Sequence, residues 1–286
     1  MSNRFLRRAG AGTIVQKLCV KAIMERNLIV EGDRILIAAS GGKDSTVLAW
    51  ALSSIKPALK FNYHLEALHI SSDFNSYGGE PLAHNSTHDS AQSSAYSDGS
   101  IKSVLACRLE EWDIPFMELR VPIMGRLKKG RKMNCYWCST QRRTELIRYA
   151  LENGFNKIAL GHHMDDIIET FFMNMTGKGV LSAMPIYLAY RKYPLSLIRP
   201  LAFLEERQII ACADDKGILK GTCTCPYGIN SRRREMRDRI AVFTGNSGAI
   251  KRRIMAALSS GREDLLAGVL SGGEGDSREG DSGEAN

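Results

Sequence analysis

Six consecutive residues, Ser40-Gly41-Gly42-Lys43-Asp44-Ser45, bring together two glycines, two hydroxyls, a cation and a carboxylate. They follow the apolar run Arg34–Ala39 and precede a helical pattern that begins at Lys43. A glycine turn at a helix start presents unpaired amides and the positive end of the helix dipole, and both attract anions. Gly41 and Gly42 let the backbone approach phosphate oxygens, while Ser40 and Ser45 supply donors. Lys43 adds charge, and Asp44 can orient donors or hold Mg2+. The alternative is a strand-to-helix turn that merely needs glycines. The string lacks the Gly-to-Lys spacing of a Walker loop.

A second acidic string, Gly161-His162-His163-Met164-Asp165-Asp166, follows the strand-like Lys157–Leu160 and opens another helix. Met164, Ile167, Ile168, Phe171, Phe172 and Met175 form an apolar stripe that predicts core. Asp165, Asp166 and Glu169 lie off that stripe, within helical reach of one another. They are either dipole partners or a carboxylate cluster that can hold Mg2+ against phosphates or accept a proton. His162 and His163 read equally well as polar caps or as nucleotide contacts.

The thiols form the third group. Seven cysteines, an odd number, occur with no apolar signal core after the first Met, so a disulfide framework is a poor reading. Cys19, Cys107 and Cys212 stand alone in amphipathic patterns and are expected as small buried hydrophobes. Cys135-Tyr136-Trp137-Cys138 is a CxxC, and Cys223-Thr224-Cys225 adds two further thiols. A redox pair and a four-thiolate zinc site are both open readings, although the second spacing is tighter than zinc sites usually show.

The whole chain of 286 residues carries +8; residues 271–286 hold a net −4, which leaves the remainder at about +12. Such a surplus favours polyanionic partners. Arg126, Lys128, Lys129, Arg131 and Lys132 precede Cys135, and Arg232, Arg233, Arg234, Arg237 and Arg239 follow Cys225. Charge runs are ordinarily solvated faces, but these bracket both cysteine groups, where an RNA backbone could lie. Tyr136 and Trp137 would then stack on a base or pack beside the thiols.

The elements that must position these groups are short buried strands at Arg34–Ala39, Leu65–Ile70, Phe116–Val121, Lys157–Leu160 and Leu197–Arg199, separated by helix-length segments. Alternation of this kind predicts an α/β fold, an open parallel sheet with helices on both faces. A helical N-terminal lead and a C-terminal helical appendage are expected around it. The expected organisation is a basic arm and helix over 1–30, the main domain over 31–243, a helical segment over 244–270 and a disordered acidic tail over 271–286. Residues 83–100, rich in serine, are expected to form a flexible insertion. Apolar content of 44% and charged content of 24% suit a folded body, and apolar runs fall short of the ~20 residues that span a bilayer. No membrane partner and a cytoplasmic location are expected.

The string SGGKDS resembles the PP-loop of the ATP pyrophosphatases, which cleave ATP between its α and β phosphates to adenylate a substrate. Lysidine synthetases, GMP synthetases and tRNA thiolation enzymes belong to that group. The resemblance implies a Rossmann-like sheet of the adenine nucleotide alpha hydrolase type. Pyrophosphate would be held by Ser40, Gly41, Gly42, Lys43, Asp44 and Ser45, with the nucleotide along strand ends at Ile70, Gly161, His162, Asp165 and Asp166. Lys43, Asp44 and Asp165 would be catalytic.

CxxC, then Arg142-Arg143, KIALGHHMDD, IRPLAF and a later cysteine resemble the tRNA 2-thiocytidine synthetases in order and spacing, from about Glu31 to about Arg239. In that family the CxxC and one downstream cysteine bind a 4Fe-4S cluster with one iron free of protein ligands, which carries over to Cys135, Cys138 and Cys225. The downstream CxC followed by Pro226-Tyr227 departs from the family's CxxC and resembles 2-thiouridine enzymes, so Cys223 rivals Cys225. The implied reaction is ATP-, Mg2+- and cluster-dependent 2-thiolation of cytidine at anticodon-loop position 32, with tRNA and a sulfur donor (cysteine desulfurase or free sulfide) as partners. A homodimer is the candidate assembly. The alternatives are 2-thiouridine formation, lysidine synthetase-like ligation, a zinc-stabilised RNA-binding module and a cluster-based redox sensor.

Overall fold

Apolar alternation along two adjoining strands builds both faces of the sheet at once. In β1 (Asp33–Ala38), Ile35 and Ile37 enter one core cluster and Leu36 the opposite one. In β2 (Tyr63–Ser72), Leu65 and Ala67 join the first cluster, and Leu68 and Ile70 the second. The period of two sends successive side chains to opposite faces, so both must be covered by helices. Each fully buried Leu or Ile contributes roughly 1.5–3 kcal/mol. The structure, a computed structural model, describes residues 10–72, 98–127, 133, 135–218 and 232–259.

Helix α1 (Ala11–Arg26) buries Val15, Cys19, Ala22 and Ile23 in the first cluster, beside α2 (Lys43–Ser54). After β2 come α3 (Asp98–Glu111), β3 (Phe116–Val121), α4 (Cys135–Glu152), β4 (Lys157–Ala159) and α5 (Met164–Lys178). Then β5 (Tyr187–Ala189), β6 (Ser196–Ile198), α6 (Glu206–Asp215) and α7 (Arg232–Thr244) complete the first unit, Met1–Asn246. The second unit, Ser247–Asn286, contributes α8 (Gly248–Ser259).

The sheet order is β3-β2-β1-β4-β6-β5, parallel throughout except for the pairing of β5 with β6. The expected parallel α/β sheet is therefore present with one addition. Strand β5 is short, exposed and antiparallel, so neither length nor alternation marks it in the sequence. Cys19 and Cys212 are buried as expected, but Cys107 is exposed, because α3 turns that position away from Leu105 and Leu109. Most of the expected insertion over 83–100 and all of the tail over 271–286 lie outside the described residues; positions 98–100 form the first turn of α3.

Strand β1 has β2 on one side and β4 on the other, so the chain direction of winding reverses between β1 and β4. Ligands on open α/β sheets bind at the carboxyl ends of strands where this switch occurs. The loops after β1 and β4 are the two strings singled out for chemistry.

Candidate active site

The first loop takes its shape from its own hydroxyls. Gly41 adopts φ 81°, a left-handed conformation that glycine adopts without strain. Ser45 Oγ donates to the Gly42 carbonyl at 3.0 Å and accepts from the Ser40 amide at 3.2 Å. Ser40 Oγ lies 3.0 Å from Ser45 Oγ and accepts from the Gly42 amide at 3.3 Å. Thr46 Oγ1 also donates to the Gly42 carbonyl, at 3.1 Å. Ser45 is thus buried as a brace of the turn, and Lys43 and Asp44 remain on its outer side. His69, near the end of β2, donates from Nδ1 to the Ala39 carbonyl at 2.7 Å and ties the neighbouring strand to the loop.

The second loop touches the first directly. A Cβ built on Gly161 would lie 2.9 Å from the Ser45 amide nitrogen and 3.0 Å from the Asp44 carbonyl carbon. Any side chain there would separate the loops, so this glycine serves close approach. His163 follows as the N-cap of α5, with its amide donating to Asp166 Oδ2 at 3.1 Å. Its ring is 2% exposed and stands 3.4 Å from Asp166, 3.6 Å from Asp165 and 4.0 Å from Asp44. Burial opposes its protonation, but Asp165, Asp166 and Asp44 outweigh it and hold the imidazole pKa above the usual range. His162 goes the opposite way: burial, with Arg199 and Arg233 nearby, pushes it down to about 4.

A chain of charges joins this loop pair to α6 and α7. Lys43 Nζ lies 3.1 Å from Asp44 and 3.0 Å from Glu206 Oε1. Burial works against the lysine's charge, yet Asp44 and Glu206 raise its pKa overall. Asp165 Oδ2 accepts from the Glu206 amide at 2.7 Å and so holds the first residue of α6. Arg237 donates from Nε to Glu169 Oε1 at 2.6 Å and reaches Glu206 Oε2 at 3.8 Å. Arg233 lies 3.7 Å from Glu169 and 3.9 Å from Asp166. Glu169 is 2% exposed, and its burial raises its pKa against the pull of Arg237. Of the acids that the helical wheel of α5 places off the core stripe, Asp166 and Glu169 are therefore met by α7, and Asp165 by α6. The C-terminal part of the apolar stripe is only half-buried, with Phe172 edge-on to Phe243 of α7.

Helix α4 begins at Cys135 and carries the CxxC in its first turn. Cys138 is half-buried, in no disulfide, and packs with Trp137 against the second core cluster, whereas Tyr136 is 82% exposed. Trp137 is therefore a packing residue and Tyr136 the aromatic available to a partner. A CxxC spacing at a helix start suits thiolate ligation of an iron–sulfur cluster. Cys223, Cys225, Lys128, Lys129, Arg131 and Lys132 lie outside the described residues. Arg126 is committed to Glu145 at 2.6 Å, a carboxylate that Arg148 also holds at 2.6 Å. Arg126, Arg233 and Arg237 thus spend their charge on protein carboxylates, a correction to reading them with the RNA-facing run. Among the described residues no group of three His, Cys, Asp or Glu side chains is arranged as a metal site.

Ser40 through Ser45, Gly161, His162, Asp165 and Asp166 therefore converge at one place, the carboxyl ends of β1 and β4. Ile70 lies near the end of β2 but is buried in the second core cluster. A cavity of about 520 Å³ opens at the other end of the sheet, lined by Asp33, Arg34, Lys56, Tyr63 and His64. It is lined by charged residues as well but not by the glycine loop, so the carboxyl edge is the candidate site. Glu206 and His69 escape sequence reasoning. Glu206 looks like any acid at a helix start, although its place just after the IRPLAF string is a usable signal.

The PP-loop domain family profile matches residues 13–219. The tRNA-cytidine(32) 2-sulfurtransferase of Syntrophotalea carbinolica is 34% identical over 78% of this chain and 78% of its own. The protein of the same name from Geobacter metallireducens is 28% identical over 84% and 86%. Among solved structures, the U34-tRNA thiolase NcsA from Methanococcus maripaludis, determined with its 4Fe-4S cluster, has a TM-score of 0.67 at 21% identity, covering 89% of this chain and 79% of that one. That likeness establishes the fold, an adenine nucleotide alpha hydrolase-like sheet. With the profile covering most of the chain and a relative 34% identical over 78% of both chains, this chain belongs to the PP-loop domain family.

Proposed function

We propose that the chain is an ATP-dependent, iron–sulfur-dependent tRNA thiolase that replaces the C2 oxygen of cytidine 32 with sulfur. The observation that carries this is the contact of Gly161 with the Asp44–Ser45 backbone, which brings a phosphate loop and a carboxylate loop into one site. The names of the similar sulfurtransferases supply the substrate. A cytoplasmic location and a desulfurase or free sulfide as donor belong to the same proposal.

In this reading the loop amides and Lys43 hold the β and γ phosphates and steady the charge that develops as pyrophosphate leaves. Asp44, beside the phosphate loop, is the carboxylate that would hold Mg2+ together with the phosphates, a hard cation suited to oxygen ligands. The base O2 attacks the α phosphorus, the bond to the β phosphate breaks and pyrophosphate leaves, so that the C2 oxygen becomes part of an AMP leaving group. Sulfide then adds at C2, the C2–O bond breaks, and AMP departs with the original oxygen. His162, kept neutral by its surroundings, offers no competing charge beside the phosphates. Cys135, Cys138 and Cys225, with Cys223 as rival, would hold a 4Fe-4S cluster, which supplies an open iron to carry sulfur.

Mass spectrometry of tRNA nucleosides from cells lacking the gene tests the assignment. Loss of 2-thiocytidine supports it. Loss of a 2-thiouridine instead would transfer the assignment to the reading favoured by Cys225-Pro226-Tyr227. Unchanged thiolated pyrimidines would refute both. In anaerobically purified protein, Cys138→Ser should lower bound iron and labile sulfide to a small fraction of wild type.

A further inference from the structure

One carboxylate on α6 stands between cations from two different elements. Glu206 Oε1 is 3.0 Å from Lys43 Nζ of the phosphate loop, and Glu206 Oε2 is 3.8 Å from Arg237 Nη1 of α7. Asp165 fixes the Glu206 backbone amide at 2.7 Å, so the carboxylate starts from a held position. Arg237 has its own firm anchor, Glu169 Oε1 at 2.6 Å. Lys43 keeps a second partner as well, Asp44 at 3.1 Å.

From this geometry we infer that Glu206 is the positioning residue for Lys43, and that Lys43, Glu206 and Arg237 form an ionic relay between the phosphate loop and α7. The inference rests on the ATP-dependent reading above. A phosphate oxygen on the loop amides competes with Glu206 for the same ammonium group. The closer Lys43 moves to phosphate, the more of the Glu206 charge is left to Arg237, which is already within 3.8 Å. Helix α7 is the first described element after Cys223 and Cys225 in the sequence. Polyphosphate binding is thereby communicated to the helix that leads away from the downstream thiols. A magnesium ligand at Glu206 would act in the opposite sense, because removing it would weaken nucleotide binding.

The test is calorimetric titration of the full-length protein with inorganic pyrophosphate and with ATP, each with Mg2+. Glu206→Gln removes the competitor and should bind pyrophosphate roughly three- to tenfold tighter than wild type. Glu206→Asp, whose carboxylate falls short of the 3.0 Å contact, should shift affinity in the same direction by less. In the thiolation assay Glu206→Gln should lower both KM for ATP and kcat, since Lys43 is then held less accurately. Hydrogen exchange supplies an independent readout: pyrophosphate should alter protection of α7 amides in wild type and leave them unchanged in Glu206→Gln. Because Glu169 retains Arg237, the variant keeps the anchor of α7. Unchanged or weaker binding by Glu206→Gln in a wild type that binds ATP would overturn the relay alone. Failure of the wild type to bind ATP at all would overturn the functional reading and the relay with it.

Discussion

The two ends of the sheet bury similar charges and treat them differently. At the amino ends of β1 and β4, Asp33 Oδ2 pairs with Lys157 Nζ at 2.8 Å and accepts from the Val30 amide at 2.7 Å. Its other oxygen accepts from Asn156 Nδ2 at 2.8 Å, and Lys157 also donates to the Leu28 carbonyl at 2.7 Å. Every member of that group is satisfied by a close neighbour. At the carboxyl ends the charges are more numerous and less complete. His162 Nδ1 and Arg199 Nε are buried without a hydrogen bond among the described residues, and Glu169 Oε2 meets the Arg233 guanidinium no closer than 3.7 Å. A buried polar group left unmatched costs about 1–3 kcal/mol, so such an end is stable only where the rest of the fold supports it. One end is a closed staple and the other leaves buried polar atoms open to further partners.

That contrast predicts a separation of effects. The largest should come from Lys43→Ala at the open end: steady-state thiolation should fall by roughly 10²–10³-fold, with the melting temperature unchanged within a few degrees. A large loss of stability in this variant would erase the distinction between the ends. Asp33→Ala at the closed end should do the reverse. It strands the Lys157 ammonium and should cost about 3–5 kcal/mol in chemical denaturation, while ATP affinity of the folded protein stays near wild type.

Gly161→Ala probes the boundary between function and packing. The 2.9 Å approach to the Ser45 amide leaves no room for a methyl group, and overpacking of this kind costs about 1–3 kcal/mol. Because the backbone displaced is the phosphate loop itself, KM for ATP should rise more than stability falls. The effect that is smallest at neutral pH is a pH dependence, which grows only on acidification. With an unfolded value near 6.5 and a folded value of about 4, His162 takes up protons in the unfolded chain before it does so in the folded one. Stability should therefore decline as pH falls from 6.5 toward 4, and His162→Asn should flatten that part of the melting-temperature profile. An identical slope in the variant would place the acid sensitivity elsewhere.

Several parts of this site are legible without coordinates because their signals are local. The strand-turn-helix at Arg34–Ser45 needs only a buried apolar run, two glycines and a helix start. The acidic turn at Asp165 and Asp166 is of the same kind. Other parts leave no local signal. Tyr187–Ala189 is too short and too exposed to read as a strand. Trp137 beside a CxxC looks like a base-stacking residue until it is seen packed on the second core cluster, with Tyr136 outside. Arg126, Arg233 and Arg237 look like free basic charge until their carboxylates are seen.

By itself, then, the sequence determined the class of the sheet and the strand-turn-helix that carries Ser40–Ser45. Steric freedom of glycine, strand alternation and helix periodicity act over a few residues and survive in a linear string. Only the tertiary structure decided that Gly161 lies against Ser45 and that Lys43 shares Glu206, 163 residues away, with Arg237. Hydrogen bonds need near contact and Coulomb attraction weakens with distance in space, whatever the separation along the chain. Which charges meet is therefore set by how the strands are ordered, a property that no window of sequence contains.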